Sequence, residues 1–280
     1  MFARLRNSWA LVKASAAVLR SDKELIVFPI VSTIALALVT ITFILPMIAA
    51  GLFDDMFTGE SRILGYIVAF VYYTVNYTVI IFANSALVGA AMIRLKGGDP
   101  TLGDGFRIAT ERFGTILGYA LISATVGLIL KIISERGKRV GQIVANLGGM
   151  AWSLATYLAV PVLVVEKVGP LEAVKRSANL LKRTWGEQIA GNFGIGAVQG
   201  LAILLVFLLS VPFFILAGSA ESLLISALTG VALVIAIVLI SLIGSTLNGI
   251  YVAAVYRYAA EDDVGIFFDE QMVREAFRAK

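Results

Sequence analysis

Six apolar stretches, each with the length of a membrane-spanning helix, dominate the pattern of hydrophobic and polar positions along the chain. A helix that crosses a lipid bilayer needs about 20 predominantly apolar residues. All 23 basic and all 19 acidic side chains fall outside these stretches. The pattern therefore predicts six transmembrane helices, at residues 25–50, 63–93, 115–130, 143–165, 189–216 and 223–256.

Three of these stretches depart from an ideal span. The second and sixth are longer than one perpendicular crossing requires, so those helices are expected to tilt or to project beyond the bilayer. The third stretch is the shortest. Pro161 and Pro212 lie inside the fourth and fifth stretches, and a proline there removes a backbone hydrogen bond and is expected to kink the helix.

Composition supports a membrane protein and removes much of the usual catalytic chemistry. The chain is 59% hydrophobic and 15% charged, whereas soluble domains carry about 25% charged residues. It contains neither cysteine nor histidine, so it has no thiolate nucleophile and lacks the commonest metal ligand and general base. We therefore expect no metal, no cofactor and no catalytic residue. An enzyme would need surface carboxylates such as Glu166, Glu172 and Glu187 to converge on a lipid headgroup.

The distribution of lysine and arginine predicts the orientation in the membrane. Cytoplasmic loops of membrane proteins carry an excess of these residues, and placing both termini in the cytoplasm puts most of them on that side. The cluster of Lys131, Arg136, Lys138 and Arg139 is the exception. Either these long side chains reach the outer interface, or the third and fourth helices do not form a simple hairpin.

Matching segments predict an internal repeat. Residues 12–20 (VKASAAVLR) match residues 174–182 (VKRSANLLK), and residues 112–117 resemble residues 184–189 more faintly. The predicted unit is an amphipathic helix followed by a transmembrane hairpin, written three times in parallel. Chance similarity between apolar segments is the alternative. The units cover residues 1–96, 97–167 and 168–260, within one integral membrane domain of residues 1–280, and residues 261–280 form a cytoplasmic tail.

Basic amphipathic helices precede the predicted hairpins. Phe2, Leu5, Trp9, Val12, Ala16 and Leu19 recur at intervals of three and four and form one helical stripe. A second stripe contains Leu171, Val174, Ala178 and Leu181, and a weaker one contains Leu102, Phe106, Ala109 and Phe113. Such helices fit the cytoplasmic headgroup layer, where they sense lipid, dock a partner or simply fix the depth of the protein. The candidate headgroup contacts are Arg4, Arg6, Lys13, Lys175, Arg176, Lys182 and Arg183.

Neutral polar residues are the candidates for a site inside the membrane, because the apolar stretches contain no ionisable side chain. Their helix faces are expected to point into the bundle, since lipid offers no hydrogen-bonding partner. There they would line a polar path or a headgroup pocket, or make ordinary hydrogen bonds between helices. The candidates are Tyr73, Tyr77, Asn84, Asn192, Gln199 and Asn248.

Several motifs resemble a family of uncharacterised prokaryotic membrane proteins with six spans. They are the segments 151–157 (AWSLATY), 160–166 (VPVLVVE), 169–177 (GPLEAVKRS) and 182–187 (KRTWGE), with the opening Ser8-Trp9 and the segment 22–25 (DKEL). The family is distantly similar to the membrane domain of some glycerophosphodiester phosphodiesterases. The resemblance implies a six-helix fold in a prokaryotic plasma membrane and brings no known activity with it.

The sequence as a whole predicts an all-α polytopic membrane protein built from three hairpins, each preceded by a cytoplasmic amphipathic helix. Its expected function is that of a non-enzymatic scaffold, accessory or lipid-interacting protein of the plasma membrane. The alternative is a facilitator or channel for small solutes, lined by the neutral polar residues. Expected partners are membrane lipids, anionic ones included, and a second copy or a membrane partner protein. Nucleic acid is excluded, because no basic patch with interleaved aromatics lies outside the spans.

Overall fold

The computed structural model describes residues 2–49, 51, 62–185, 194–219 and 222–274, and all elements within these ranges are helical. Side chains are described from Trp9 onward, except at positions 62, 136, 138, 185, 194, 197 and 272. A short 3-10 turn at Lys23–Ile26 joins the first two α-helices. The α-helices, in chain order, are α1 (Phe2–Ser21), α2 (Val27–Ala49), α3 (Arg62–Leu95), α4 (Leu102–Glu111), α5 (Phe113–Arg136), α6 (Lys138–Ala155), α7 (Ala159–Val165), α8 (Pro170–Trp185), α9 (Gly194–Ser219), α10 (Leu223–Glu261) and α11 (Glu270–Arg274).

Six stretches of helix are long and apolar enough to cross a membrane, which confirms the number of spans predicted from the sequence. They are Lys23–Ala49, Ile63–Leu95, Phe113–Glu135, Arg139–Val165, Val198–Ser219 and Leu223–Glu261. The third is longer than its apolar run alone indicated, because the helix continues beyond that run to Arg136. The protein is therefore a multi-pass membrane protein.

Proline acts differently at its two predicted positions. The fourth span is broken into α6 and α7 by a turn at residues 156–158, and Pro161 lies in the first turn of α7, where its missing N–H has no helical partner to lose. The expected kink is therefore a complete break in the helix. In contrast, α9 continues through Pro212 without interruption.

The buried core lies at one end of the helix bundle. It comprises the C-terminal end of α3 (residues 81–95), α7, the C-terminal end of α10 (residues 247–259), and the inner faces of α1, α4 and α8. We call this end the base. Tyr256, Leu95 and Leu163 are among its fully buried large side chains.

Outside the base, the long helices expose apolar side chains along their length. Leu38 and Leu45 on α2, Leu209 on α9, and Val234 on α10 are each more than half exposed. Apolar surface of this extent suits contact with lipid tails. The extra length of α3 and α10 thus lies in the base, where it is covered by α1, α4 and α8.

Helices α1 and α8 pack on the protein through faces that differ from their predicted apolar stripes. In α1 the deeply buried residues are Leu11, Ala14, Ser15 and Val18, and in α8 they are Ala173, Ser177, Leu180 and Leu181. The centre of the buried face is turned from the predicted stripe by roughly 140° in α1 and by roughly 100° in α8, where Leu181 belongs to both sets. Trp9 and Leu171, which belong to the predicted stripes, are 51% and 62% exposed. Hydrophobic periodicity does not register small residues such as Ala14, Ser15 and Ser177, although small residues allow helices to approach closely.

Gly105 in α4 shows how close these contacts are. A Cβ atom at this position would lie 2.9 Å from the carbonyl oxygen of Ala86 in α3 and 2.8 Å from Cε1 of Phe28. Phe28 also packs edge to face against Phe106, with ring centroids 5.1 Å apart. The absence of a Cβ atom at Gly105 therefore allows α4 to pack closely against both α2 and α3.

We predict that Gly105→Ala destabilises the protein by about 1–3 kcal/mol, because the added methyl group overpacks a backbone contact. Gly103→Ala is the matched control in the same helix, since its Cβ would meet only Thr101 Oγ1 at 3.6 Å. That control should be neutral or stabilise by up to about 1 kcal/mol. Unfolding in detergent measures both variants, and equal effects would contradict the packing of α4 on α3.

Candidate functional site

Charged residues of the base link α3, α10 and the segment after α10. The side chain of Arg257 is only 5% exposed, its Nε lies 3.4 Å from Glu261, and its Nη2 donates to Asp263. Lys96 at the end of α3 lies 3.5 Å from the second carboxylate oxygen of Glu261. A buried guanidinium between two carboxylates fixes the chain beyond α10, because breaking such a pair leaves a charge unpaired.

The segment that follows, which is the first part of the predicted cytoplasmic tail, packs on the protein. Val264, Phe268 and Val273 are buried, and α11 packs against α1 and α10. The acidic residues Glu261 and Asp263 bind Arg257, and the cytoplasmic location of the tail stays a prediction. Residues 275–280 lie outside the described part of the chain.

A second polar cluster closes the junction between α1 and α2. Arg94 donates from Nη2 to the carbonyl oxygen of Ser21 at 2.6 Å and from Nη1 to Asp99 at 3.0 Å. Asp22 is buried beside it, and burial raises the pKa of its carboxyl above the usual value, against the opposing effect of Arg94. In the capping box of α4, hydrogen bonds from Thr101 lower the pKa of Asp104.

A third cluster joins α7, α8 and α10. Arg176 Nε lies 3.0 Å from each carboxylate oxygen of Glu166, and the hydroxyl of Tyr256 donates to the same carboxylate at 3.2 Å. The headgroup candidate Arg176 is therefore already neutralised within the protein. Glu166 is equally engaged, and Glu172 is exposed in the first turn of α8.

The remaining headgroup candidates that the structure describes lie on the surface. Lys13 is exposed, with its Nζ 5.9 Å from the centroid of the Trp9 ring. Lys175, Lys182 and Arg183 are exposed on α8 and form no ion pair with any described residue. The side chains of Arg4 and Arg6 lie outside the described part of the chain.

The polar candidates inside the spans do not converge. Tyr73, Tyr77 and Asn84 are half-buried on α3, and Asn192 lies outside the described residues. Tyr73 lines a cleft of about 180 Å³ between α2, α3 and Lys131 of α5. Gln199 lines a different cleft, of about 210 Å³, between α1, α9 and α10.

Asn248 is exposed on α10, so the expectation that its face points into the bundle is wrong for this chain alone. The neighbouring residues Leu247, Ile250 and Tyr251 are buried in its place, which turns the amide outward. Gln199 is the opposite case. A Cβ atom on Gly244 would lie 2.5 Å from its Cδ, so its amide is packed directly against the α10 backbone.

Sequence reasoning missed the hydrogen bond between Ser177 and the break in the fourth span. Ser177 is fully buried, and its Oγ accepts from the backbone N–H of Leu158 at 2.9 Å. This bond satisfies a donor that the break between α6 and α7 leaves free. The match between residues 12–20 and 174–182 did align Ser177 with Ser15, which is also buried but whose Oγ has no partner among the described residues.

We predict that Ser177→Ala destabilises the protein by about 1–3 kcal/mol, because it leaves the Leu158 N–H buried and unpaired. Ser15→Ala is the matched control at an equally buried hydroxyl without a partner, and it should be neutral or slightly stabilising. Thermal unfolding of both variants in the same detergent gives the comparison. A larger loss for Ser15→Ala than for Ser177→Ala would refute this assignment.

The base also carries a cleft that the sequence did not indicate. It has a volume of about 260 Å³ and lies between the C-terminal end of α3, α4 and the end of α7. Its apolar lining includes Met92, Ile93, Ile108, Val164 and Val165, and its charged lining consists of Lys96, Glu111, Arg112 and Lys167. Glu111 and Arg112 are consecutive, but they are far in sequence from Lys96 and Lys167, and the packing of the three helices brings them together.

Comparison with known proteins places this fold in a family. A family model described as "Family of unknown function (DUF6159)" matches residues 63–266, from the start of α3 to the segment after α10. Because the match covers more than half of the chain, the protein belongs to that family. No curated protein matches the chain. The predicted similarity to the membrane domain of glycerophosphodiester phosphodiesterases finds no support in these comparisons and stays a prediction.

Proposed function

We propose that the protein is a non-enzymatic, lipid-interacting protein of a prokaryotic plasma membrane, with its base and both termini on the cytoplasmic side. The observation that carries the proposal is the surface of α8. Its buried face, at Ala173, Ser177 and Leu180, packs on protein, while its cations face outward from a fixed helix. Cationic side chains held near the cytoplasmic leaflet attract anionic lipid by about 1 kcal/mol each.

Exposed apolar residues beside these cations support a position at the membrane surface. Leu171 is 62% exposed at the start of α8, and Trp9 is 51% exposed beside Lys13 on α1. Tryptophan is enriched at the boundary between membrane and water. Apolar and cationic groups on one surface are typical of helices that lie against headgroups.

We also propose the threefold repeat of an amphipathic helix and a transmembrane hairpin. Helix α4 packs on α3, α8 packs on α7, and α1 packs on α10, so each of these helices contacts the second span of a neighbouring unit. Gly105 lies against the carbonyl oxygen of Ala86, and Ser177 accepts a hydrogen bond from the backbone N–H of Leu158. The sequence interval from Gly105 to Ser177 equals that from Ala86 to Leu158, as a repeat requires.

The alternative of a facilitator or channel draws no support from the described residues. Tyr73 and Gln199 line separate clefts, and Asn248 is exposed. An exposed amide within a span instead favours contact with a second copy of the chain or with a helix of a partner protein, because such a contact would supply the hydrogen bonds of the amide.

We predict that replacing Lys175, Lys182 and Arg183 with Gln lowers the preference of the intact protein for anionic lipid. The loss should be about tenfold or more, because three attractive charges are removed. The measurement is quenching of protein fluorescence by brominated phosphatidylglycerol against brominated phosphatidylcholine in reconstituted vesicles. Replacing Lys131 with Gln is the control, since this cation lies on the predicted outer side. An unchanged preference in the α8 variant would refute the proposal.

A further inference from the structure

We propose that the cleft formed by α3, α4 and the end of α7 is a specific binding site for one anionic phospholipid, with Lys96, Arg112 and Lys167 holding its phosphate. This inference rests on the proposed function and deepens it. The cations of α8 would attract anionic lipid in general, whereas this cleft would select a single molecule and keep it. None of its three cations is among the headgroup contacts that the sequence predicts.

Charge complementarity is the first observation that identifies the ligand. Three cations and one acid, Glu111, line the cleft, which leaves an excess of positive charge. Lys96 shares Glu261 with Arg257 at 3.5 Å and keeps half of its side chain exposed. Arg112 and Lys167 form no ion pair with any described residue, so their charges are available to a phosphate. Arginine and lysine are the usual partners of phosphate groups.

The apolar lining is the second observation, and it favours a lipid over a soluble anion. Ile93, Ile108 and Val165 form part of the lining beside the charged residues. Arg112 is followed immediately by Phe113, which is 47% exposed, and one turn later by Leu117, which is 38% exposed. Exposed apolar side chains at this point mark the start of the lipid-facing surface of α5. The cation Arg112 therefore adjoins a surface suited to acyl chains.

The backbone of Lys167 is the third observation. Its φ angle is +56°, a left-handed conformation in which a residue after a helix is usually glycine. A lysine at this position is strained relative to glycine. Strained residues persist at sites that bind ligands. The free energy that this backbone strain costs is offset if the charged side chain of Lys167 contributes to ligand binding. Asp262 has a similar φ of +54° but lies after α10, and it is not among the residues that line the cleft.

Native mass spectrometry of the intact, detergent-extracted protein tests the site with phosphatidylglycerol and phosphatidylcholine of equal chain length. We expect the wild type to retain one phosphatidylglycerol molecule. The variant with Gln at positions 96, 112 and 167 should lose that adduct by about tenfold or more. The variant with Gln at positions 175, 182 and 183 removes the same charge from α8 and should keep it. Equal retention by the wild type and the cleft variant would overturn the assignment.

The substitution Lys167→Gly separates binding from folding. It relieves the left-handed backbone and removes one cation, so the unfolding temperature should rise while phosphatidylglycerol retention falls severalfold. Asp262→Gly is the matched control, because it relieves the same kind of backbone strain and should leave retention unchanged. A rise in stability without any loss of lipid would show that Lys167 has no part in binding.

Soluble anions provide the remaining arm of the test. Inorganic phosphate and glycerophosphate are added at millimolar concentration to the wild type and to the cleft variant. The lipid assignment is overturned if either anion displaces phosphatidylglycerol and raises the unfolding temperature only when the cleft cations are present. That result would show that the ligand is a soluble anion. If the cleft variant behaves as wild type while the α8 variant loses its anionic preference, this inference fails and the proposed function stands. If neither variant changes, both fail.

Discussion

The fold depends on apolar burial at one end of the helix bundle. Within a bilayer, lipid tails are as apolar as the side chains, so the hydrophobic effect does little to hold the helices together. The long helices expose their apolar residues there, as Leu38 and Val234 illustrate. At the base the same chain buries Leu95, Leu163 and Tyr256 completely, and removal of apolar surface from water is the dominant favourable contribution to folding. Helices α1, α4 and α8 complete this burial, and small residues allow them to pack at close range.

Charge is arranged around this apolar core in two ways. Arg94, Arg176 and Arg257 bind carboxylates or carbonyl oxygens within the protein, and these bonds fix the ends of the long helices relative to one another. Other cations, among them Lys175 and Lys182, face outward and pair with no described residue. The first group stabilises the base, and the second gives it a surface suited to an anionic leaflet. The cleft between α3, α4 and α7 lies where the two arrangements meet.

The sequence predicted the parts of the structure that depend on simple periodicity. Six apolar runs correspond to six helices, because a run of that length has few other stable structures in a membrane. The apolar stripes of α1 and α8 did not indicate which faces are buried, since Ser15 and Ser177 contribute contact through small size, which hydrophobic periodicity does not register. The docking of residues 262–274 was missed because it depends on Arg257 and Asp263 meeting in space. The cleft was missed for the same reason, as Lys96, Arg112 and Lys167 come from three separate elements.

The central claim is that α1 packs on the protein through Leu11, Ser15 and Val18. The chain contains no cysteine, so single cysteines at each position from 9 to 20 can carry a nitroxide label in an otherwise native protein. In reconstituted vesicles the labels at positions 11, 15 and 18 should be the most immobilised and the least accessible to oxygen. A pattern with its minimum at Val12, Ala16 and Leu19 would contradict the account, because it would show that the apolar stripe, and not the face with Ser15, packs on the protein.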